Sequence, residues 1–265
     1  MQKNTEEQFN RFLGCLSDAE CLDSIIVIGS WAEYIYEKSG LLQNFHPYIK
    51  TLDADILITN LRKPRSKVNL PHIAEEAGFI YTEDAITGDS KFIGNELFEV
   101  EFLIPQRGNG TQRLPRTNIG VNAQQLTHME TLVNNVESAR INGYEVLVPS
   151  PEAYVLQKMA INERRRNKAA SDRNKIDYMI PFLAEEKLNF VYRSMTSKEQ
   201  KKCSEYISKY CPEFNLHENK ITCRTQENRL KIKSAVRSLM DFNEDKPENP
   251  LTSSVDNIHK QKLRF

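Results

Sequence analysis

The sequence has little of what would assign it to a class at a glance. No apolar run approaches the roughly 20 residues of a membrane span; runs such as 25–28 and 102–104 are the size of short strands. The opening stretch MQKNTEE has no apolar segment of the signal-peptide kind, so a cytoplasmic protein with no membrane partner is expected. Net charge is absent too: 36 basic residues balance 36 acidic ones. That excludes a chain-wide electrostatic footprint for nucleic acid and leaves only local patches. The five cysteines include no C-x-x-C pair and read as reduced thiols. Cys203, Cys211, His217 and Cys223 have spacings that fit no common zinc module. Phosphate-loop, dinucleotide and G-x-S-x-G fingerprints are missing. The five histidines are scattered, and the single tryptophan, Trp31, reads as core.

What remains is a globular composition, 39% hydrophobic and 27% charged over 265 residues. Phe9, Phe12, Leu13 and Leu16 recur at helical spacing, which predicts a first helix over 5–17. Strands are predicted at 24–28, 52–58, 79–81, 91–93, 98–104, 118–121 and 144–148, with a short helix at 71–77 and another from about 123. Residues 60–69 and 105–116 have loop compositions. Ser150, Pro151 and Glu152 are a helix start: a capping hydroxyl, a proline suited to the first helical position and an acid in the first turn. From there to 240 the chain reads as helices and loops, and the polar stretch 241–265 reads as a disordered tail. The expected organisation is therefore an α/β (α+β) domain with a mixed sheet over 1–148 and an α-helical domain over 149–240.

The chemistry-bearing pattern lies in the first half. Ser24 to Ile28 ends at Gly29-Ser30, and the next predicted strand holds Asp53-x-Asp55. Residues two apart on a strand share a face, about 6.6 Å apart at ~3.3 Å rise per residue. Glu99 and Glu101 repeat that arrangement on a later strand. Acids converging from neighbouring strands repel one another, and hard divalent cations relieve that repulsion. Two-metal sites of this kind serve in-line phosphoryl displacement. An edge strand with one solvated face also accommodates an Asp-x-Asp. It is the ordered set Gly-Ser, Asp-x-Asp, Glu that carries information.

That set resembles the nucleotidyltransferase superfamily of DNA polymerase β type. Its pattern is a hydrophobic strand with Gly-Gly or Gly-Ser, here IVIGS at 26–30, then Asp-x-Asp, here DADILI at 53–58, then a third acid, here in VEFL at 100–103. The segment GYEVLVPSPEAYVLQK at 143–158 is similar to an uncharacterised bacterial branch related to abortive-infection nucleotidyltransferase toxins. The resemblance implies that Gly29 and Ser30 bind a triphosphate, that Asp53, Asp55 and Glu101 hold magnesium or manganese, and that Glu101 helps deprotonate an acceptor hydroxyl. Glu99 stands as the rival to Glu101. Lys158 matches the lysine that contacts the triphosphate in relatives, Arg165 and Asp177 match the later Arg and Asp less closely, and Asp172 is a further candidate.

Residues 156–175 carry seven basic and two acidic side chains. On one continuous helix, Lys158, Arg165 and Asp172 would form a stripe, with Arg166, Arg173 and Asp177 beside it. Such a stripe suits a phosphate clamp or an RNA backbone, tRNA included. It equally suits a solvated face with an Arg173–Asp177 pair. The implied function is transfer of a nucleoside monophosphate from NTP to a hydroxyl of RNA, protein or a small molecule, in a housekeeping, toxin–antitoxin or phage-defence role. The alternative is a catalytically silent member of the fold that binds nucleic acid or a partner protein.

Overall fold

The computed structural model describes residues 2–47, 51–106, 116–165, 167–211, 214–217 and 220–223. The described residues all fall within one compact unit, Met1–Arg224. The expected tail at 241–265 and the expected helix between 224 and 240 lie outside the described residues, as do Arg166 and most of the loop 105–116.

The unit is built on one eight-stranded sheet. Its strands are β1 (Ile25–Ile28), β2 (Asp53–Ile58), β3 (Ile80–Glu83), β4 (Ser90–Ile93), β5 (Glu99–Pro105), β6 (Gln124–Leu126), β7 (Val136–Ile141) and β8 (Tyr144–Pro149). The spatial order is β3-β4-β5-β2-β1-β8-β7, with β6 beside β5. β2 runs parallel to β5 and antiparallel to β1, so the sheet is mixed.

Alternation along β5 fixes which face is which. Phe98, Val100, Phe102 and Ile104 are buried, while Glu99 and Glu101 on the opposite face are only half-buried. Helices α1 (Gln2–Asp18) and α2 (Ser30–Lys38) bring aromatic side chains to the apolar face. The Phe12 ring packs within 5.2 Å of Phe79 and Phe92 and 6.3 Å of Phe102. Trp31 stacks on Phe9 at 4.2 Å and meets Phe98 edge-on at 5.8 Å. Such offset and edge contacts add to the area these rings bury. Trp31 is therefore core, as its sequence context indicates.

Helices α3 (Leu70–Glu76) and α4 (Glu130–Asn134) are short. The strand expected at 118–121 is displaced to β6, and the helix expected from about 123 shrinks to α4. β7 follows it, a strand the periodicity does not mark, because only Ala139 and Ile141 along it are buried.

After Pro149 come α5 (Pro151–Ile161), α6 (Ala169–Met179), α7 (Glu185–Ser194) and α8 (Ser197–Tyr210). α5 starts as its sequence dictates: Ser150 Oγ accepts from the Ala153 N–H at 3.2 Å, with Pro151 at the first helical position. The expected continuous helix over 156–175 does not form. α5 gives way to a 3-10 turn at Asn162–Arg164, and α6 begins only at Ala169. Nor is the second half purely helical: β9 (Phe214–His217) and β10 (Lys220–Cys223) pair as a hairpin. Cys15, Cys21, Cys203 and Cys211 are buried and in no disulfide among the described residues.

Candidate active site

The parallel pairing of β2 with β5 sets Asp53 opposite Glu99 and Asp55 opposite Glu101. In-register residues on neighbouring strands project to the same side. The four carboxylates therefore form a square on the face opposite the aromatic core. β1 closes one flank, with Ile28 opposite Asp55. Gly29 follows directly, at φ 68° and ψ −151°, a conformation that is essentially glycine's alone. Space demands glycine as well: a Cβ there would lie 2.5 Å from Asp55 Oδ2. Gly29 heads α2 with no side-chain cap, so the first-turn N–H groups of that helix lack a side-chain acceptor at the cap.

Burial pushes the Asp55 carboxyl up to about 6, and the charges of Glu101 and Asp53 push in the same direction. Lys168 and Arg165 pull it down. Both basic residues thus act on the carboxylate face, although they belong to the segment between α5 and α6 and not to a helix stripe.

The other flank is closed by Lys91 on β4, which sits opposite Glu101 in register. Its Nζ lies 2.5 Å from Glu101 Oε1 and 3.3 Å from Glu99 Oε2. These acceptors hold the ammonium group's pKa well above its usual value. Sequence reasoning gives Lys91 no role. The signal was there in outline: a tight β4–β5 hairpin with Phe92 facing the core must put Lys91 on the side of the glutamates.

Lys158 does not present its charge to solvent. It is buried, with Nζ 2.7 Å from Asp172 Oδ1 and 4.9 Å from the centre of the Tyr154 ring. Desolvation lowers its pKa, and the Asp172 charge opposes that. Arg165 Nε also reaches Asp172, at 3.3 Å from Oδ2. Lys158, Arg165 and Asp172 are thus brought together by the packing of α5 on α6, across the break and not along one helix.

The lysine that reaches the Gly-Ser turn is Lys175. Its Nζ donates to Ser30 Oγ at 2.6 Å and to Glu33 Oε1 at 3.0 Å. Glu33 is buried on α2 and also accepts from the Tyr154 hydroxyl. The other basic residues of the segment disperse: Arg164 Nη1 lies 2.9 Å from His128 Nε2, and Arg173 stacks 5.0 Å over Tyr210. Asp177 is exposed, and after burial and Cys211 its charge adds to the upward push on the Tyr206 hydroxyl's pKa.

The donor set of the square is all oxygen, the chemistry that suits magnesium or manganese. Gly29 leaves the Asp55 carboxylate space that any side chain would fill. The residues fit such an ion in kind. As the side chains stand, no three His, Cys, Asp or Glu residues among the described ones gather closely enough to hold it, and Glu101 is turned to Lys91.

Three outcomes follow from this geometry. Gly29→Ala is expected to lower stability by about 1–3 kcal/mol through backbone strain, with further disturbance at Asp55, read by urea unfolding. Asp172→Ala leaves Lys158 buried without its partner and is expected to cost about 3–5 kcal/mol in the same assay. For Asp55 the folded pKa, about 6, exceeds the unfolded value near 3.8. Its contribution to stability is thus present below pH ~4 and lost as pH rises to ~6. With chelator present, Asp55→Asn is expected to melt higher than wild type above pH ~6, and the gain should vanish below pH ~4.

No curated protein matches this chain significantly. Among solved structures, an antigenic nucleotidyltransferase-like protein from Paracoccidioides brasiliensis is similar at 19% identity. The match covers 75% of this chain and 88% of that one, at a TM-score of 0.42, too loose to carry an argument about the site. The sequence profile of the nucleotidyltransferase family matches residues 7–200, nearly three quarters of the 265. That span takes in most of α1, the Gly-Ser turn, all four acids and the helices from α2 to α7, and it places the chain in the nucleotidyltransferase family.

Proposed function

We propose that the chain is a divalent-cation-dependent nucleotidyltransferase of the cytoplasm. It would move a nucleoside monophosphate from NTP to an acceptor hydroxyl and release pyrophosphate. The observation that carries this reading is the square of in-register carboxylates beside Gly29 at the head of uncapped α2. The N–H groups of that first turn, with Ser30, would face the triphosphate. Lys175, Arg165 and Lys168 would balance its charge, and the Lys158–Asp172 pair would anchor Arg165. Asp53 and Asp55 would hold magnesium or manganese, with Glu101 completing the set and Glu99 behind it.

A cation held there supplies charge neutralisation on the phosphates and acidifies the acceptor hydroxyl. The acceptor oxygen forms the new bond to the α-phosphorus as the bond to pyrophosphate breaks. The acceptor proton passes to a carboxylate, for which Glu101 is the nearest in register to Asp55. RNA, tRNA included, is the acceptor we favour, because Lys168, whose charge acts on Asp55, stays exposed. The similarity of 143–158 to abortive-infection relatives supports a toxin or phage-defence setting.

One observation favours a second reading, a silent member that binds RNA or a partner protein: Lys91 already neutralises the third acid. Calorimetric titration of each NTP with magnesium separates the two readings. Magnesium-dependent binding is expected for wild type and is expected to be lost in Asp53→Ala/Asp55→Ala. Label from an α-labelled NTP should then appear on RNA with wild type alone. Salt-sensitive RNA binding without NTP binding would establish the silent binder instead.

A further inference from the structure

Resting on the nucleotide-binding reading above, we propose that Glu33 is a positioning residue of the triphosphate site. It holds the Lys175 ammonium at the Ser30 hydroxyl, and Lys175 passes that hydrogen bond to a phosphate oxygen when NTP binds. Ser30 and Glu33 lie three residues apart at the start of α2 and so share a face of the helix. One lysine from α6 spans both, with Nζ 2.6 Å from Ser30 Oγ and 3.0 Å from Glu33 Oε1.

The two acceptors are not equivalent. Glu33 is buried, and its Oε1 also accepts from the hydroxyl of Tyr154, itself buried. The carboxylate is thus fixed from two sides. Ser30 Oγ is a neutral acceptor, and a charge-assisted bond to a phosphate oxygen is roughly twice as strong. An ammonium at a helix N-terminus also sits against the helix dipole. Glu33 offsets that conflict while the turn is free, and an anion at the turn removes it. Lys158 is placed differently: it is buried, and its ammonium is engaged by Asp172 at 2.7 Å. The triphosphate contact that the family resemblance implies for Lys158 therefore falls to Lys175.

The test is calorimetric titration of ATP, GTP, CTP and UTP, each with magnesium, into the full chain and its variants. Lys175→Met is expected to weaken binding of the NTP that wild type takes by roughly tenfold or more. Glu33→Gln separates positioning from charge. Removing a negative charge beside a triphosphate tightens binding if Glu33 acts through its charge alone, whereas a severalfold loss is expected if it positions Lys175. In Glu33→Gln/Lys175→Met the Glu33 effect is expected to vanish, since nothing is left to position. The double variant also leaves neither charge buried alone, so it reports on Lys175 even where Lys175→Met does not fold. Circular dichroism melting identifies the folded variants. Wild-type affinity in folded Lys175→Met or in the double variant, unchanged or tighter binding by Glu33→Gln, or a Glu33 effect that persists without Lys175 overturns the inference and leaves the proposed function standing. No NTP bound by wild type overturns both.

Discussion

Like charge held together against its own repulsion is the constraint on which this molecule turns. Four carboxylates lie on two adjacent inner strands, pinned there by the β2–β5 register. The strands cannot slip to relieve them, because a one-residue shift would carry Phe98, Val100 and Phe102 out of the core and the acids into it. The surroundings supply the relief. Lys91 stands at one flank, Lys168 and Arg165 act from the other, and burial first, with the charges of Glu101 and Asp53 behind it, still keeps the Asp55 pKa raised.

A second buried network serves the same centre indirectly. Lys175, Glu33, Tyr154 and Ser30 tie α6 and α5 to the head of α2. Lys158 and Asp172 tie α5 to α6 a step away. Groups of this kind are tolerated in a protein interior only when each finds its partner. The helices after Pro149 are thereby fastened to the turn at Gly29 through specific charges as well as through apolar contact, and Arg165 and Lys168 stay within electrostatic reach of Asp55.

Much of this was legible in the sequence, and the divide between what was and was not is physical. The Gly-Ser turn, Asp53-x-Asp55 and the Glu99–Glu101 alternation are local patterns, and each appears in the structure at its expected strand or turn. The start of α5 was legible for the same reason, since capping chemistry is local. Lys91 and Lys175 were not, because their meaning comes from partners 10 and 145 residues away in the chain. The continuous helix over 156–175 failed because good helix formers on both sides conceal the break after Ile161, where the chain turns to lay α6 against α5. Only that packing unites Lys158 with Asp172.

The mixed polarity of the sheet has a consequence for how the chain can diversify. β1 and β8 arrive at one edge, while β2 and β5 depart from it. Gly29, Asp53, Glu99 and the start of α5 therefore crowd a single rim. The segments that follow β2 and β5 leave at the far rim, beginning at Thr59 and Gln106. A length change in those segments starts away from the carboxylates, whereas one at the rim of Gly29 starts beside them. One border of the sheet is fixed by chemistry and the other is open to insertion, so relatives that differ in size should differ at the far border first.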